Sequence, residues 1–316
     1  MAATTGISAN RLATVSRRRL MALAGGAALS QWLPRSALAA SFGVGDGEIS
    51  VISDGMLTLP LSFVLPDTPE AEIEALFKAN GMSMDSLTPD CNVTLLRKGE
   101  RLILFDVGSG SNFMPTAGKL SEGLAEAGID PAEVTDVIFT HAHPDHLWGV
   151  LDDFDELVFP NAAYRMAKSE WDFWRDPATI DKLPDARKSF AVGAQTRMAA
   201  IEDRIGLFAA GEEVAPGVEA VGTPGHTPGH TSFMVHGGSE PVLIVGDAIS
   251  NAVISFQKPD WHSGTDQDPE QGAATRKNLL SRLATDRPRI IGYHLPHPGT
   301  GRVEARDQVF RFVAEI

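Results

Sequence analysis

The stretch THAHPDHLWG, residues 140 to 149, holds three histidines and an aspartate within the six positions His141 to His146. The whole chain of 316 residues has nine histidines, so this crowding constrains the fold more than any other feature. In an extended chain, residues two apart project to the same side. His141 and His143 therefore present two imidazoles to one metal ion. Pro144 turns the chain, and Asp145 and His146 become adjacent donors aimed elsewhere. Two ligands for one ion and two for another within six residues is the pattern of a dinuclear metal site.

The missing ligands are expected at the ends of other strands. TPGHTPGH (223–230) offers His226 and His230 in a Gly/Pro-rich loop, LIVGD (243–247) ends in Asp247, and IIGYH (290–294) ends in His294. Strand-like runs recur at 48–53, 92–97, 101–107, 134–140, 231–236, 241–247 and 289–294. The second and third read as a hairpin with Gly99 in the turn. Helical periodicity covers 116–128, 169–174, 184–205 and 268–286, the last with Asp268 as N-cap and Pro269 at the first helical position. Interleaved strands and helices argue for a layered α/β architecture.

DVGSG (106–110), THAHPDH (140–146), GTPGHTPGH (222–230), VGD (245–247) and GYH (292–294) occur in that order. Together they resemble the metallo-β-lactamase superfamily of metal-dependent hydrolases. The resemblance implies a four-layer αβ/βα sandwich, two sheets packed together with helices outside and metals at one edge. It implies that His141, His143 and His226 bind one divalent ion, that Asp145, His146 and His294 bind a second, and that Asp247 bridges them. Asp106 would brace the histidine loop, and His230 would be a neighbour rather than a ligand. With nitrogen and oxygen donors only, zinc is the first expectation, and manganese, iron(II) or cobalt also suit the set. Such a pair of ions bridges a hydroxide that attacks a carbonyl or phosphoryl centre, and Asp145 can take the nucleophile's proton. The expected activity is metal-assisted hydrolysis.

Residues 1–40 contain Arg11, Arg17, Arg18, Arg19 and Arg35 and no acid. A weakly apolar run, Leu20 to Leu33, and the small-residue close SALAA follow the arginine cluster. That order is the order of a secretory signal, and SRRRLM resembles a twin-arginine motif. The expectation is a leader over 1–40, cleaved after Ala39 or Ala40 by way of the twin-arginine export machinery, and a hydrolase domain over 41–316 in the periplasm or outside the cell. The run is shorter than the ~20 residues of a membrane span, so no stable membrane anchor is expected. Residues 41–316 keep 22 basic against 41 acidic side chains, a net −19, which disfavours nucleic acid. The single cysteine, Cys91, excludes an intramolecular disulfide. A homodimer is compatible with the sequence, which does not require one.

Within the superfamily, GHTPGHTSF, YHLPHPGTG (293–301) and FPNAAYRMAKSEWDFW (159–174) are most similar to the secreted branch that contains methyl parathion hydrolase, with lactone and aryl-ester hydrolases. In that branch the aromatic residues matching Trp174 and Phe190 flank the metals, whereas Trp171 reads as a core cover. Ser250 stands where lactonases of the superfamily carry a tyrosine and the organophosphate enzyme an apolar residue. With His262 in KPDWHSG and His297 in PHPG, it predicts a polar pocket for a small lactone or ester, with phosphotriester hydrolysis as a side activity. True organophosphate hydrolysis is the alternative. A persulfide dioxygenase-type oxidoreductase fits less well, because it would not need Asp145, His146 and His294 as a second set.

Overall fold

The structure is a computed structural model that describes Met1 and residues 38–238, 240–307 and 309–315. Most of the expected leader therefore lies outside the described residues. Its last three positions already belong to a strand: the backbone of Leu38 pairs with Ile52 and that of Ala40 with Val51. Ser36–Ile316 pack as one unit. No helix among the described residues is long and apolar enough to cross a membrane.

Among the described residues fourteen strands form two sheets, each in chain order. The first contains β1 (Leu38–Val44), β2 (Gly47–Met56), β3 (Asp90–Lys98), β4 (Arg101–Phe105), β5 (Asp136–Ile138), β6 (Ala163–Ala167) and β7 (Ile205–Phe208). The second contains β8 (Glu213–Ala215), β9 (Val218–Gly222), β10 (Thr231–Val235), β11 (Val242–Gly246), β12 (Arg289–Gly292), β13 (Thr300–Arg306) and β14 (Val309–Ala314). The expected hairpin is β3–β4, with Lys98 paired to Arg101 across a turn in which Gly99 takes φ +60°.

Side-chain alternation decides the layers. On β4, Ile103 and Phe105 turn into a core shared with Phe233, Ile244 and Ile291 of the second sheet. The Phe105 and Phe233 rings lie 5.4 Å apart in it. Leu102 and Leu104 turn the other way, onto Leu120 and Leu124 of the helix Leu120–Glu126 and Ala194 and Met198 of the helix Lys188–Ile201. Leu243, Val245 and Ile290 of the second sheet pack on Leu279, Leu280 and Leu283 of the helix Pro269–Asp286. The order is helix, sheet, sheet, helix: the four-layer sandwich expected from the sequence.

This arrangement places the site. β4 and β5 are parallel neighbours, as are β11 and β12, so their carboxyl ends share an edge of each sheet. Asp106 and Asp247 follow β4 and β11 directly, while His294 lies two residues past the end of β12 and His141 three past the end of β5. The apolar run at 134–140 yields only Asp136–Ile138 as strand, because beyond it the chain leaves the ladder and Thr140 donates its amide to Asp106 Oδ1 at 2.8 Å. The last helix begins as its sequence predicts: Asp268 accepts the Gln271 amide at 2.9 Å, with Pro269 next.

Candidate metal centre

All seven expected ligands converge at this edge. His141 Nε2 lies 3.0 Å from His143 Nδ1, which lies 2.8 Å from His226 Nε2. Asp145 Oδ2 is 3.3 Å from His146 Nε2 and 3.2 Å from His294 Nε2. Asp247 spans both groups. Its Oδ1 is 3.3 Å from His146 Nε2, and its Oδ2 is 3.2 Å from His294 Nε2 and 3.3 Å from His226 Nε2. Every one of these residues is buried.

The outward ring nitrogens fix which atoms carry protons. Thr140 Oγ1 donates to Asp106 Oδ2 at 2.8 Å and so accepts from His141 Nδ1 at 3.0 Å. His146 Nδ1 faces Asp106 Oδ2 at 2.8 Å, His226 Nδ1 faces Asp266 Oδ1 at 3.0 Å, and His294 Nδ1 faces the Asp90 carbonyl at 2.8 Å. With protons held outward, the inward nitrogens turn lone pairs on each other and on two carboxylates. Asp145 Oδ2, His146 Nε2 and Asp247 Oδ1 are buried without a hydrogen bond. Acceptors gathered against acceptors are costly unless cations sit between them, so the donor set fits metal ions.

Charge follows the same division. Burial holds His141 and His143 well below the usual imidazole pKa, as neutral ligands. Burial also opposes charge on His146 and His294, but the surrounding aspartates overcome it and raise both well above that value. Asp145 and Asp247 stay ionised, because facing histidines outweigh the cost of burial.

Braces surround the ligands. Asp106 sits at φ +64° and accepts from the Thr140 amide, the Thr140 hydroxyl and His146, which ties β4 to the histidine loop. The Asp247 amide donates to His230 Nε2 at 2.9 Å, so His230 Nδ1 donates to Thr223 Oγ1 at 2.8 Å. Burial, with His226 beside it, pushes His230 down to about 3. His230 thus holds the backbone of Asp247 and does not face the cluster.

Four neighbours of the site were not read from the sequence. Glu170 is fully buried and accepts from the Ala142 amide (2.9 Å), Trp174 Nε1 (2.6 Å), Thr227 Oγ1 (2.7 Å) and the Gly229 amide (3.0 Å). The approach requires glycine at 229, where a Cβ would come within 2.2 Å of the Glu170 nitrogen. Asp266 is clasped by Arg276 at 2.7 Å on its other oxygen. Tyr293 donates to the Asp145 carbonyl at 2.6 Å. Cys91, fully buried, has its sulfur within 4.8 Å of ligand atoms of Asp145 and His294, so a thiol adjoins a donor set expected to be nitrogen and oxygen only. Burial raises that thiol to about 12. Asp266 lies in a long loop and the other three beside residues already singled out; only their burial marks them, and burial is a tertiary property.

The cluster opens into a cavity of about 380 Å³, walled chiefly by apolar side chains, among them Leu57, Leu59, Phe63, Val64, Phe113 and Phe190. Here three expectations are corrected. Trp174 is fully buried, its ring 5.7 Å from that of His143, and its indole N–H is spent on Glu170, so it packs behind the ligand and does not line the cavity. His262 is exposed and not part of the wall. His297 bonds Asn92 Oδ1 at 2.6 Å and takes its place on β3, also outside the wall. Phe190 and Ser250 do line the cavity. The expected polar pocket is therefore mainly apolar, with Phe113, unread in the sequence, 5.9 Å from Phe190. Trp171 packs half-buried on the core, as its helical position predicted.

Residues 88–306 match the model of the metallo-beta-lactamase superfamily. The chain is 31% identical over 132 residues to the N-acyl homoserine lactonase AttM of Agrobacterium fabrum, a match spanning 38% of this chain and 43% of that protein. Among solved structures it resembles AidC, a dizinc quorum-quenching lactonase seen with the product N-hexanoyl-L-homoserine. The TM-score is 0.83 at 30% identity, over 88% of this chain and 97% of AidC. It also resembles the hydrolase AbOPH of the beta lactamase superfamily, with a TM-score of 0.81 at 26% identity, over 87% of this chain and 97% of AbOPH. Ordered motifs, the paired sheets and the convergent ligands agree with these matches, and the chain belongs to the metallo-beta-lactamase superfamily.

Proposed function

We propose that this protein is a dinuclear metal-dependent hydrolase whose substrates are N-acyl homoserine lactones. The observation that carries the reading is the seven-residue donor cluster at the floor of an apolar cavity. An acyl chain fits such walls, and a lactone carbonyl at the floor meets the cluster. Similarity to AttM and AidC supports the same class.

His141, His143 and His226 would hold one ion and Asp145, His146 and His294 the other, with Asp247 in reach of both groups. Zinc is the expected metal. When bound, the pair supplies Lewis acidity toward the carbonyl and an acidified water. The protein does the rest. Phe113 and Phe190 exclude bulk water and align the acyl chain, while Asp145, kept ionised, would serve as a ligand and as a carboxylate able to accept a proton from water. Asp106 and Asp266 keep the rings of His146 and His226 from rotating, and Glu170 ties together the loops that carry His141, His143 and His226. Because the second donor set is complete, a one-iron oxygenase role is disfavoured. A second hydrolase reading, phosphotriester cleavage, draws on the same aromatic wall.

The test compares kcat/KM of metal-loaded residues 41–316 on N-hexanoyl homoserine lactone and on a dialkyl aryl phosphotriester, with His146→Ala as control. Lactone preference lost in the variant supports the reading; phosphotriester preference overturns it. Export is proposed from the arginine cluster: Arg17→Lys with Arg18→Lys should strand the protein in the cytoplasm on cell fractionation, and unchanged export would refute the twin-arginine route.

A further inference from the structure

Arg187 stands apart among the residues lining the cavity. It is the one arginine or lysine among them, at the end of the 3-10 turn Asp185–Arg187 that leads into the helix Lys188–Ile201. Its guanidinium lies 5.3 Å from the centre of the Phe63 ring on the facing segment. Otherwise it has no partner among the described residues. The acid beside it in sequence, Asp185, is paired with Lys188 at 2.7 Å, and Asp266, the charge it feels through space, is held by Arg276 and His226.

A guanidinium has five donors in a fixed fork. Half-buried in an apolar cavity, with an aromatic face on one side, it leaves donors directed at whatever fills that cavity. Phe190, three residues further on and lining the same cavity, has its ring 6.1 Å from that of His143, so the segment that carries Arg187 borders the metal-facing end. An acceptor presented to it must therefore lie close to the scissile bond. The amide oxygen of an N-acyl homoserine lactone is such an acceptor, because the amide is attached to the ring carbon next to the lactone carbonyl.

Resting on the lactonase reading above, we infer that Arg187 is a specificity-determining residue that donates hydrogen bonds to the amide oxygen of an acylamino lactone. The enzyme then selects acylamino lactones over alkyl lactones of equal size. A site built to hydrogen-bond a substrate oxygen discriminates against the analogue lacking it, since its own polar group is otherwise left without a partner.

The experiment measures kcat/KM of the metal-loaded protein on N-hexanoyl homoserine lactone and on an alkyl γ-lactone of equal chain length. Wild type, Arg187→Met and Arg187→Lys are compared. The expected result is a preference for the acylamino lactone that falls about tenfold or more in Arg187→Met and partly returns in Arg187→Lys. Calorimetric binding of N-hexanoyl homoserine, the ring-opened product, should weaken by a similar factor in Arg187→Met with metal content unchanged. An unchanged preference in Arg187→Met, or equal product binding, overturns the role of Arg187 while leaving the lactonase reading intact. If the wild type opens neither lactone, the lactonase reading itself fails.

Discussion

The carboxylate of Glu170 accepts the amide of Ala142 at 2.9 Å, so the residue between His141 and His143 is tied to a helix 28 positions further on. Its other oxygen holds Thr227 and Gly229, on the loop that carries His226. One side chain thus sets the spacing of two ligand-bearing loops. Glu170→Gln turns one oxygen into an N–H donor facing two donors. Each donor left without an acceptor costs about 1–3 kcal/mol. The variant should melt at lower temperature and bind fewer than two metal ions per chain by elemental analysis. Full metal content with unchanged stability would show that Glu170 is not a brace.

Metal removal should release the cost hidden in the cluster. Without ions, the surrounding aspartates raise His146 and His294 well above the usual imidazole pKa and so favour a proton on each ring. Ligation needs both rings unprotonated on the inward nitrogen, so metal binding must expel protons. Affinity should therefore fall as pH falls. Titration calorimetry in two buffers of different ionisation enthalpy should show net proton release, and thermal stability should drop on chelation. Proton uptake on binding would contradict this account.

Asp54 links stability to pH away from the metals. It accepts from the amides of Ser109, Gly118 and Leu120 and from the Ser109 hydroxyl, stapling the segment that carries Phe113. Burial nonetheless pushes its carboxyl up from 3.8 to about 6. A raised native pKa means that the folded state keeps the proton longer. Its contribution is present below about 3.8 and is lost as pH rises through about 6, a change on the order of 3 kcal/mol. Asp54→Asn does not titrate. Urea unfolding of both proteins from pH 4 to 7 should show the wild type losing stability relative to the variant; a constant difference would rule the linkage out.

Gly193, in the helix that bears Phe190, faces Trp148: a Cβ there would lie 2.3 Å from the indole ring. Trp148 cannot withdraw freely, with Phe113 5.6 Å away and Arg197 over it at 4.8 Å. Glycine to alanine within a helix ordinarily stabilises by about 1 kcal/mol. Gly193→Ala should instead destabilise by about 1–3 kcal/mol and displace Phe190, raising KM for long acyl chains more than for short ones. A raised melting temperature would mean the contact is loose.

Local spacing determined much of this protein. The alternation of His141 and His143, the turn at Pro144, and charges ending apolar strands at Asp247 and His294 are readable because neighbours along a chain constrain one another directly. The same holds for the Asp268–Pro269 helix start and the Gly99 hairpin. Contacts between distant segments were decided only by the tertiary structure. The resemblance to the methyl parathion hydrolase branch places Trp174 in the pocket wall, but the helical stripe of SEWDFW does not say which side faces inward; Glu170 on the same helix holds its indole behind His143. Asp54, Asp266 and Arg187 are ordinary polar residues in sequence. Their roles come from burial beside segments far along the chain, because the cost of hiding a polar group depends on what the fold brings against it.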